Sequence, residues 1–501
     1  MRLVIGLKHG RFVDHESYQN KEKPKKCDVI QKSNCYLGIP TFNNDKIIPF
    51  LVNIMTFSQG CAIGWVSPSL PVLNDPDFSP LGAPLTVLQV SLVASTFCIG
   101  AIVGTPVFGW LADRFGRKKA AMAITVPFMI SWTLKLVWLN PTALIFARFM
   151  GGFGSSGNLI ICPLYSSEVA SVRARGALGS LLTFSNNLGI AVIYILGAYL
   201  SYFTVLVMML CFPVLSFILM SRMPESPSFL VKTKQTKVND NTTSNTSINS
   251  NLYQLNSHNY IGYSLSYTGC ALALTVSLLT CQVFTGIFAV LTYTTNIFEE
   301  AGSTLSPSMS TIIVGIIQFM GSIVASSLIE KLGRKILLIS SSCTVMLSMA
   351  TLGTYFYVRD TGYDVSSLGW IPVTSLSVVV CTFSMGIGPV PFILPSEMFL
   401  VQVRGLATSI GLTCLWTFTF LVAQFFAPLV ILLGIHTLFW GFAVVGCLAI
   451  LIAAIFLPET KGRPIEEIVA HFGGQKHKAR GVELATISPR VARTARLTNH
   501  Q

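Results

Sequence analysis

Apolar runs of roughly twenty residues recur along this chain, separated by short polar stretches. A helix needs about 20 mostly apolar residues to cross the hydrocarbon core of a bilayer. Twelve stretches meet that condition, at 48–70, 85–111, 120–139, 142–164, 176–199, 203–221, 268–297, 308–329, 336–357, 370–395, 406–432 and 437–457. Asn140-Pro141 divides the third from the fourth. One helix across that point would be far too long, and proline favours helix starts. The pattern predicts an all-α membrane protein of twelve transmembrane helices in two six-helix, pseudo-symmetric halves. It divides the chain into an N-terminal tail (1–47), a first half (48–222), a polar linker (223–267), a second half (268–457) and a C-terminal tail (458–501).

Composition supports a membrane protein. Hydrophobic residues make up 52% of the 501 residues and charged residues only 11%, against about 25% charged in soluble domains. The mean hydropathy is +0.63. The formal charge of +13 raises the possibility of nucleic-acid binding, but the basic residues fall in short clusters between apolar runs, the arrangement that orients membrane proteins. No nucleic-acid partner is predicted; the bilayer is. The 12 cysteines include no C-x-x-C pair and read as scattered thiols. Residues 1–46 are polar and basic, so the first apolar run should serve as the insertion signal.

Lys and Arg in the connections set the orientation. One set of loops holds Arg114, Arg117, Lys118, Lys119, Arg173, Arg175, Arg222, Lys232, Lys234, Lys237, Lys331, Arg334, Lys335 and Arg404. The opposite set holds Asp75, Asp77, Glu299, Glu300, Asp360 and Asp364, with Arg359, and with Lys135 and Arg148 near helix ends, where the stem of Lys135 can snorkel to the surface. The basic set is predicted to be cytoplasmic, and an even number of spans puts both termini there. Asn241-Thr242-Thr243 and Asn245-Thr246-Ser247, in the polar linker, match a glycosylation pattern but fall on the cytoplasmic side.

Three features repeat in order. Gly116-Arg117-Lys118 follows span 2 and Gly333-Arg334-Lys335 follows span 8. Glu168 with Arg175-Gly176 follows span 4, and Glu397 with Arg404-Gly405 follows span 10. Pro224-Glu225-Ser226 follows span 6 and Pro458-Glu459-Thr460 follows span 12. Charges at helix ends on one side can pair, across the two halves, to form a two-state gate. The candidate network is Asp113, Arg114, Arg117, Glu168, Arg175, Glu225, Glu330, Arg334, Glu397, Arg404 and Glu459.

With these residues in view, the stretch from Gly109-Trp110-Leu111-Ala112-Asp113-Arg114 to Gly116-Arg117-Lys118 resembles the loop signature of the major facilitator superfamily. Glu168 through Arg175-Gly176, Pro224-Glu225-Ser226-Pro227 and Pro458-Glu459-Thr460-Lys461-Gly462-Arg463 look like sugar-porter signatures. Ala301-Gly302-Ser303-Thr304, the 311–315 segment and Gly333-Arg334-Lys335-Ile336-Leu337 resemble the insect-type facilitated trehalose transporters. The resemblance implies facilitated flux of a sugar by alternating access. The family pattern in span 7 has two adjacent glutamines and then Ser-Gly-Ile-Asn; this chain has Gln282-Val283-Phe284-Thr285-Gly286-Ile287-Phe288, and Phe392 where span 10 usually carries tryptophan.

A sugar site needs amides and hydroxyls for ring hydroxyls and aromatic faces for C–H surfaces. A buried amide without a partner costs about 1–3 kcal/mol, so Gln282 and Gln318, each inside an apolar run, are candidates. Thr183, Asn186 and Asn187 share one helical face of span 5. Trp416 and Phe392 are the aromatic candidates, and Thr292 and Tyr293 are candidates for an outer gate. Gly386, Gly388, Pro389 and Pro391 predict a bend in span 10, and Thr285-Gly286 a bend in span 7.

No spaced Cys/His metal set, phosphate-cradling glycine loop or Ser/His/Asp arrangement is evident, so neither an enzyme nor a cofactor is predicted. His436 reads as a solvent-facing loop histidine. Span 1 reads Phe57 to Trp65 without an acid, and the other spans lack a central Asp or Glu. The reading is therefore a uniporter for trehalose or a hexose in the plasma membrane. The alternative is a non-transporting sugar sensor with the same fold.

Overall fold

The computed structural model describes residues 44–468 except 76, 78, 170–174, 224, 227–228, 231–249, 303–304, 400 and 464–466. Both tails beyond these limits, and residues 231–249 of the polar linker, therefore lie outside the described residues. The helices are α1 (Asn44–Gly64), α2 (Val66–Asn74), α3 (Val87–Phe115), α4 (Arg117–Val137), α5 (Pro141–Val169), α6 (Arg175–Tyr199), α7 (Tyr202–Ser221), α8 (Ser250–Phe284), α9 (Ile287–Ala301), α10 (Pro307–Leu332), α11 (Arg334–Asp360), α12 (Ile371–Met385), α13 (Val390–Met398), α14 (Val401–Leu433) and α15 (Ile435–Phe456).

These fifteen helices make twelve spans because three spans are broken where the sequence cannot continue a helix. Span 1 is α1 and α2, broken at Trp65; Pro68 has no N–H to bond the Gly64 carbonyl one turn earlier. Span 7 is α8 and α9, broken at Thr285-Gly286, where Gly286 takes φ +84°. Span 10 is α12 and α13, broken between Gly386 and Pro389. Asn140-Pro141 does separate two helices: Asn140 Oδ1 accepts from the Thr142 amide at 3.1 Å, and Pro141 opens α5. α8 begins at Ser250, inside the stretch read as linker, so the helix of span 7 starts earlier than its apolar run.

Packing repeats between the halves. α3 packs on α5 and α4 on α7; the equivalent α10 packs on α12 and α11 on α15. The halves meet through α3 with α14, α6 with α10, and α2 with α9. Within the first half α3 and α5 touch backbone to backbone. A Cβ at Gly152 would lie 1.7 Å from the Phe97 carbonyl oxygen, and one at Gly100 2.0 Å from that of Phe149. Without a water-driven hydrophobic force inside the bilayer, such small-residue contacts are a main source of helix association.

Candidate substrate site and charge clusters

At the basic end each half carries the same clasp. In the first half Glu225 Oε1 accepts from the amides of Arg117 (2.8 Å) and Lys118 (3.0 Å), at the start of α4. Arg117 Nε donates to Glu168 at 3.2 Å, its Nη1 donates to the Ala112 carbonyl at 2.7 Å and to Asp113 at 3.4 Å, and the Ser226 hydroxyl donates to Glu168. In the second half Glu459 accepts from the amides of Arg334 (3.0 Å) and Lys335 (3.1 Å), at the start of α11. Arg334 Nη2 donates to Glu397 at 2.6 Å, and Thr460 Oγ1 donates to the other Glu397 oxygen at 2.5 Å. Both carboxylates sit where exposed N–H groups and the helix dipole favour an anion.

The glycines of the repeated Gly-Arg-Lys follow from this geometry. Gly116 and Gly333 take φ of +99° and +86°. A Cβ would lie 2.4 Å from a Glu225 oxygen in one case and 2.6 Å from a Glu459 oxygen in the other. Burial alone would raise the Glu459 pKa, but the amides of Lys461, Arg334, Lys335 and Thr460 outweigh it and hold this carboxyl below its ordinary value.

The pairing differs from the expectation in one respect. The described carboxylate–arginine pairs join residues within a half, Arg117 with Glu168 and Asp113, and Arg334 with Glu397, rather than across the halves. Each Glu reaches the arginine that opens the helix beside it, because the clasp holds that helix start in place. Arg404 donates to the Phe399 carbonyl at 3.2 Å rather than to Glu397. Arg114 is exposed, over the rings of Trp110 (5.4 Å) and Phe115 (5.9 Å). The side chains of Arg175 and Glu330 lie outside the described residues.

Two contacts of the candidate substrate residues cross between the halves, Gln318 with Asn187 and Trp416 with Phe97. Gln318 on α10 is 2% exposed and donates to Asn187 Oδ1 on α6 at 3.4 Å. Asn186 Nδ2 lies 3.5 Å from the same oxygen. Gln282, near the end of α8, is 2% exposed and donates to the Gly388 carbonyl at 3.4 Å, beside the break in span 10. Trp416 on α14 meets Phe97 on α3 edge to face at 6.1 Å, and Phe288 on α9 at 6.3 Å. Gln282 Oε1, Gln318 Oε1, Asn186 Oδ1 and Trp416 Nε1 are buried without a partner among the described residues. Three acceptors and a donor left open in this way suit a neutral polyhydroxyl ligand. Thr183 lies on α6 about one turn before Asn186 and Asn187 and is half-buried.

Phe392 does not join this group. The buried stripe of α13 is Val390, Pro391, Leu394, Pro395 and Met398, and Phe392 falls off it, 40% exposed.

Residues 14–472 match the family described as "Sugar (and other) transporter". The chain belongs to this sugar transporter family. It is 30% identical over 439 residues to the facilitated trehalose transporter Tret1 of Apis mellifera ligustica, covering 84% of this chain and 87% of that one. The Tret1 of Bombyx mori is also 30% identical, over 456 residues, covering 86% and 88%. Among solved structures, the partially occluded, inward open conformation of the xylose transporter XylE from E. coli superposes with a TM-score of 0.68 at 23% identity, covering 84% of this chain and all of that one. The fold is thus that of the major facilitator transporters, and the family consists of multi-pass membrane transporters rather than enzymes.

Several polar residues of this sugar transporter were not singled out from the sequence. In the first half Asn158 donates to Gln59 at 2.6 Å, and Ser185 to Asn53 at 3.0 Å, all four buried. Gln59 and Asn158 carry the same signal that picked out Gln282, an amide inside an apolar run. Arg148 is 3% exposed and lies within α5, not at its end. It donates to the carbonyls of Val93 (2.9 Å) and Ala62 (2.7 Å) and lies over the Phe97 ring at 4.6 Å. Lys135 does not snorkel to the surface. It is 2% exposed, its Nζ 4.1 Å from the Trp65 ring centroid and 4.0 Å from that of Trp132. His436 is likewise not a lone solvent-facing histidine: its Nδ1 lies 3.0 Å from Asp360, tying the start of α15 to the end of α11.

Proposed function

We propose that this sugar transporter is a facilitative uniporter, carrying trehalose or a hexose across the plasma membrane by alternating access, with both termini cytoplasmic. The observation that carries the reading is the set of buried open amide and indole atoms on Asn186, Gln282, Gln318 and Trp416, side chains none of which is a carboxylate. Gln282 and Gln318 would bind ring hydroxyls, with Asn186 and Asn187 beside them, and Trp416 would cover a C–H face. The facilitated trehalose transport named for the insect relatives supports the substrate class.

Uniport is supported by how the buried cations are held. A proton-coupled carrier needs a titratable group facing the pathway, and intramembrane acids persist where function demands them. Arg148 donates to two carbonyl oxygens and lies over a ring face, and Lys135 lies over two indole faces. Among the described residues neither is paired with a carboxylate. The driving force is then the sugar gradient alone.

The test is uptake of radiolabelled trehalose, glucose, fructose and polyols into proteoliposomes with imposed pH and sodium gradients. Uniport predicts that flux stops at equal sugar concentrations. Accumulation abolished by a protonophore or by removing sodium would refute uniport. Sugar binding without any flux would favour the sensor reading.

A further inference from the structure

Apart from Gln318 with Asn187, the described hydrogen bonds that cross between the halves lie toward the acidic end. Ser95 on α3 donates to Gln424 on α14 at 2.6 Å. The Ser67 hydroxyl on α2 lies 3.1 Å from Thr295 Oγ1 on α9, which within the second half lies 3.1 Å from Thr311 Oγ1 on α10. Tyr194 on α6 donates to the Leu291 carbonyl on α9 at 2.9 Å.

Two of these partners meet α9 at a particular place. Tyr293 has φ −113° and ψ 18°, a non-helical residue inside the helix. The turn around it would be closed by the Thr295 N–H bonding to the Leu291 carbonyl, four residues earlier. In the structure the Leu291 carbonyl accepts from Tyr194, and the Thr295 N–H donates to Ser67 Oγ at 3.3 Å. Both ends of one backbone bond of the second half thus have side-chain partners from the first. Ser67, Tyr194 and Thr295 are all buried, at 0%, 1% and 4% exposure.

We propose that Ser67 and Tyr194 are positioning residues that hold the bend in α9 by standing in for this helix's own hydrogen bond, so that closing the acidic end and bending α9 are a single event. Backbone polar groups inside a membrane must be satisfied from within the protein. When the halves part at this end, Ser67 and Tyr194 leave with the first half. Leu291 O and Thr295 N–H are then left to each other, and the turn re-forms as regular helix. The exchange keeps every backbone group bonded in both states, which keeps the two states close in energy.

The inference rests on alternating access, and its test does not depend on which sugar is carried. Bioorthogonal labels at positions 72 and 300, on α2 and α9, report the separation of the halves at the acidic end in nanodiscs. Tyr194→Phe and Ser67→Ala each delete only a hydroxyl. Each should raise the separated population roughly 2- to 10-fold, the effect of one lost hydrogen bond. Ser67→Thr keeps a hydroxyl and should stay near wild type. Amide exchange at Thr295 should slow in Tyr194→Phe as the helix turn re-forms. Unchanged label distances in either hydroxyl deletion, or equal effects of Ser67→Thr and Ser67→Ala, would overturn the proposal. Absence of uptake with an intact shift in label distance would count against the transport reading instead.

Discussion

Arg334 Nη2 lies 2.6 Å from Glu397 Oε1, and the side chains are only 17% and 22% exposed. The pair joins the start of α11 to the end of span 10, and Arg117 with Glu168 does the same between α4 and span 4. Glu397→Gln leaves the guanidinium with a weaker acceptor. Hydrogen bonds to charged groups are worth about 1.5–3 kcal/mol. The variant should melt lower in detergent and exchange sugar more slowly, with a smaller change in apparent affinity. Unchanged turnover in Glu397→Gln, and in single alanine variants of Glu168, Arg175 and Arg404, would remove the charge clusters from the transport cycle.

Gln282→Ala and Gln318→Ala should each weaken sugar binding while the protein still reaches the membrane. Loss of one ligand hydrogen bond costs about 0.5–1.5 kcal/mol. Concentration-dependent uptake should therefore show a KM raised by about 2- to 10-fold. Gln318→Ala also frees Asn187, so its effect should be the larger. Equal KM in both variants and wild type would place the site elsewhere.

Gly333→Ala forces a methyl group to within 2.6 Å of a Glu459 oxygen at a φ of +86°. A non-glycine residue in such backbone costs about 1–3 kcal/mol. The variant should lose thermal stability, and Gly333→Ala with Glu459→Ala should recover none of the backbone part. Gly109 has nothing within 4 Å of a built Cβ and serves as the tolerant control.

Acid should loosen the second clasp. The Glu459 carboxyl is held below its ordinary value of 4.5. A carboxyl that binds its proton less tightly in the folded state stabilises that state above the unfolded pKa, and the gain fades as pH falls through the folded value. The melting-temperature gap between wild type and Glu459→Gln should be full at neutral pH and close below about pH 4.5. A gap that does not change with pH would mean that the amide bonds to Glu459 carry no stability.

Much of this fold is legible in the sequence because membrane helices announce themselves by length and apolarity. Even the breaks in spans 7 and 10 follow from Gly286 and from the glycines and prolines at 386–391. The repeated Gly-Arg-Lys, Glu and Pro-Glu motifs also come together as two clasps. Their pairing was not legible, since sequence spacing does not say that Glu397 reaches Arg334 and not Arg404. Lys135 reads as a snorkelling lysine from its place near a helix end; only the fold brings Trp65, on another span, over its Nζ. Phe392 looks like a site aromatic in the sequence, which does not show that it falls off the buried stripe of the short helix α13. Asn53, Gln59 and Asn158 escape because a buried amide looks the same whether it binds a neighbour or a ligand.

The reciprocal fit of Gly100 against Phe149 and of Gly152 against Phe97 has a consequence for variation. At both positions the obstacle is a main-chain oxygen, which no choice of neighbouring side chain can move. A library randomised over α3 and α5 and selected only for folded protein at the membrane should return glycine almost alone at these two sites, while Gly109, on the same helix, drifts freely. Compensating double variants, common in side-chain cores, should be missing there.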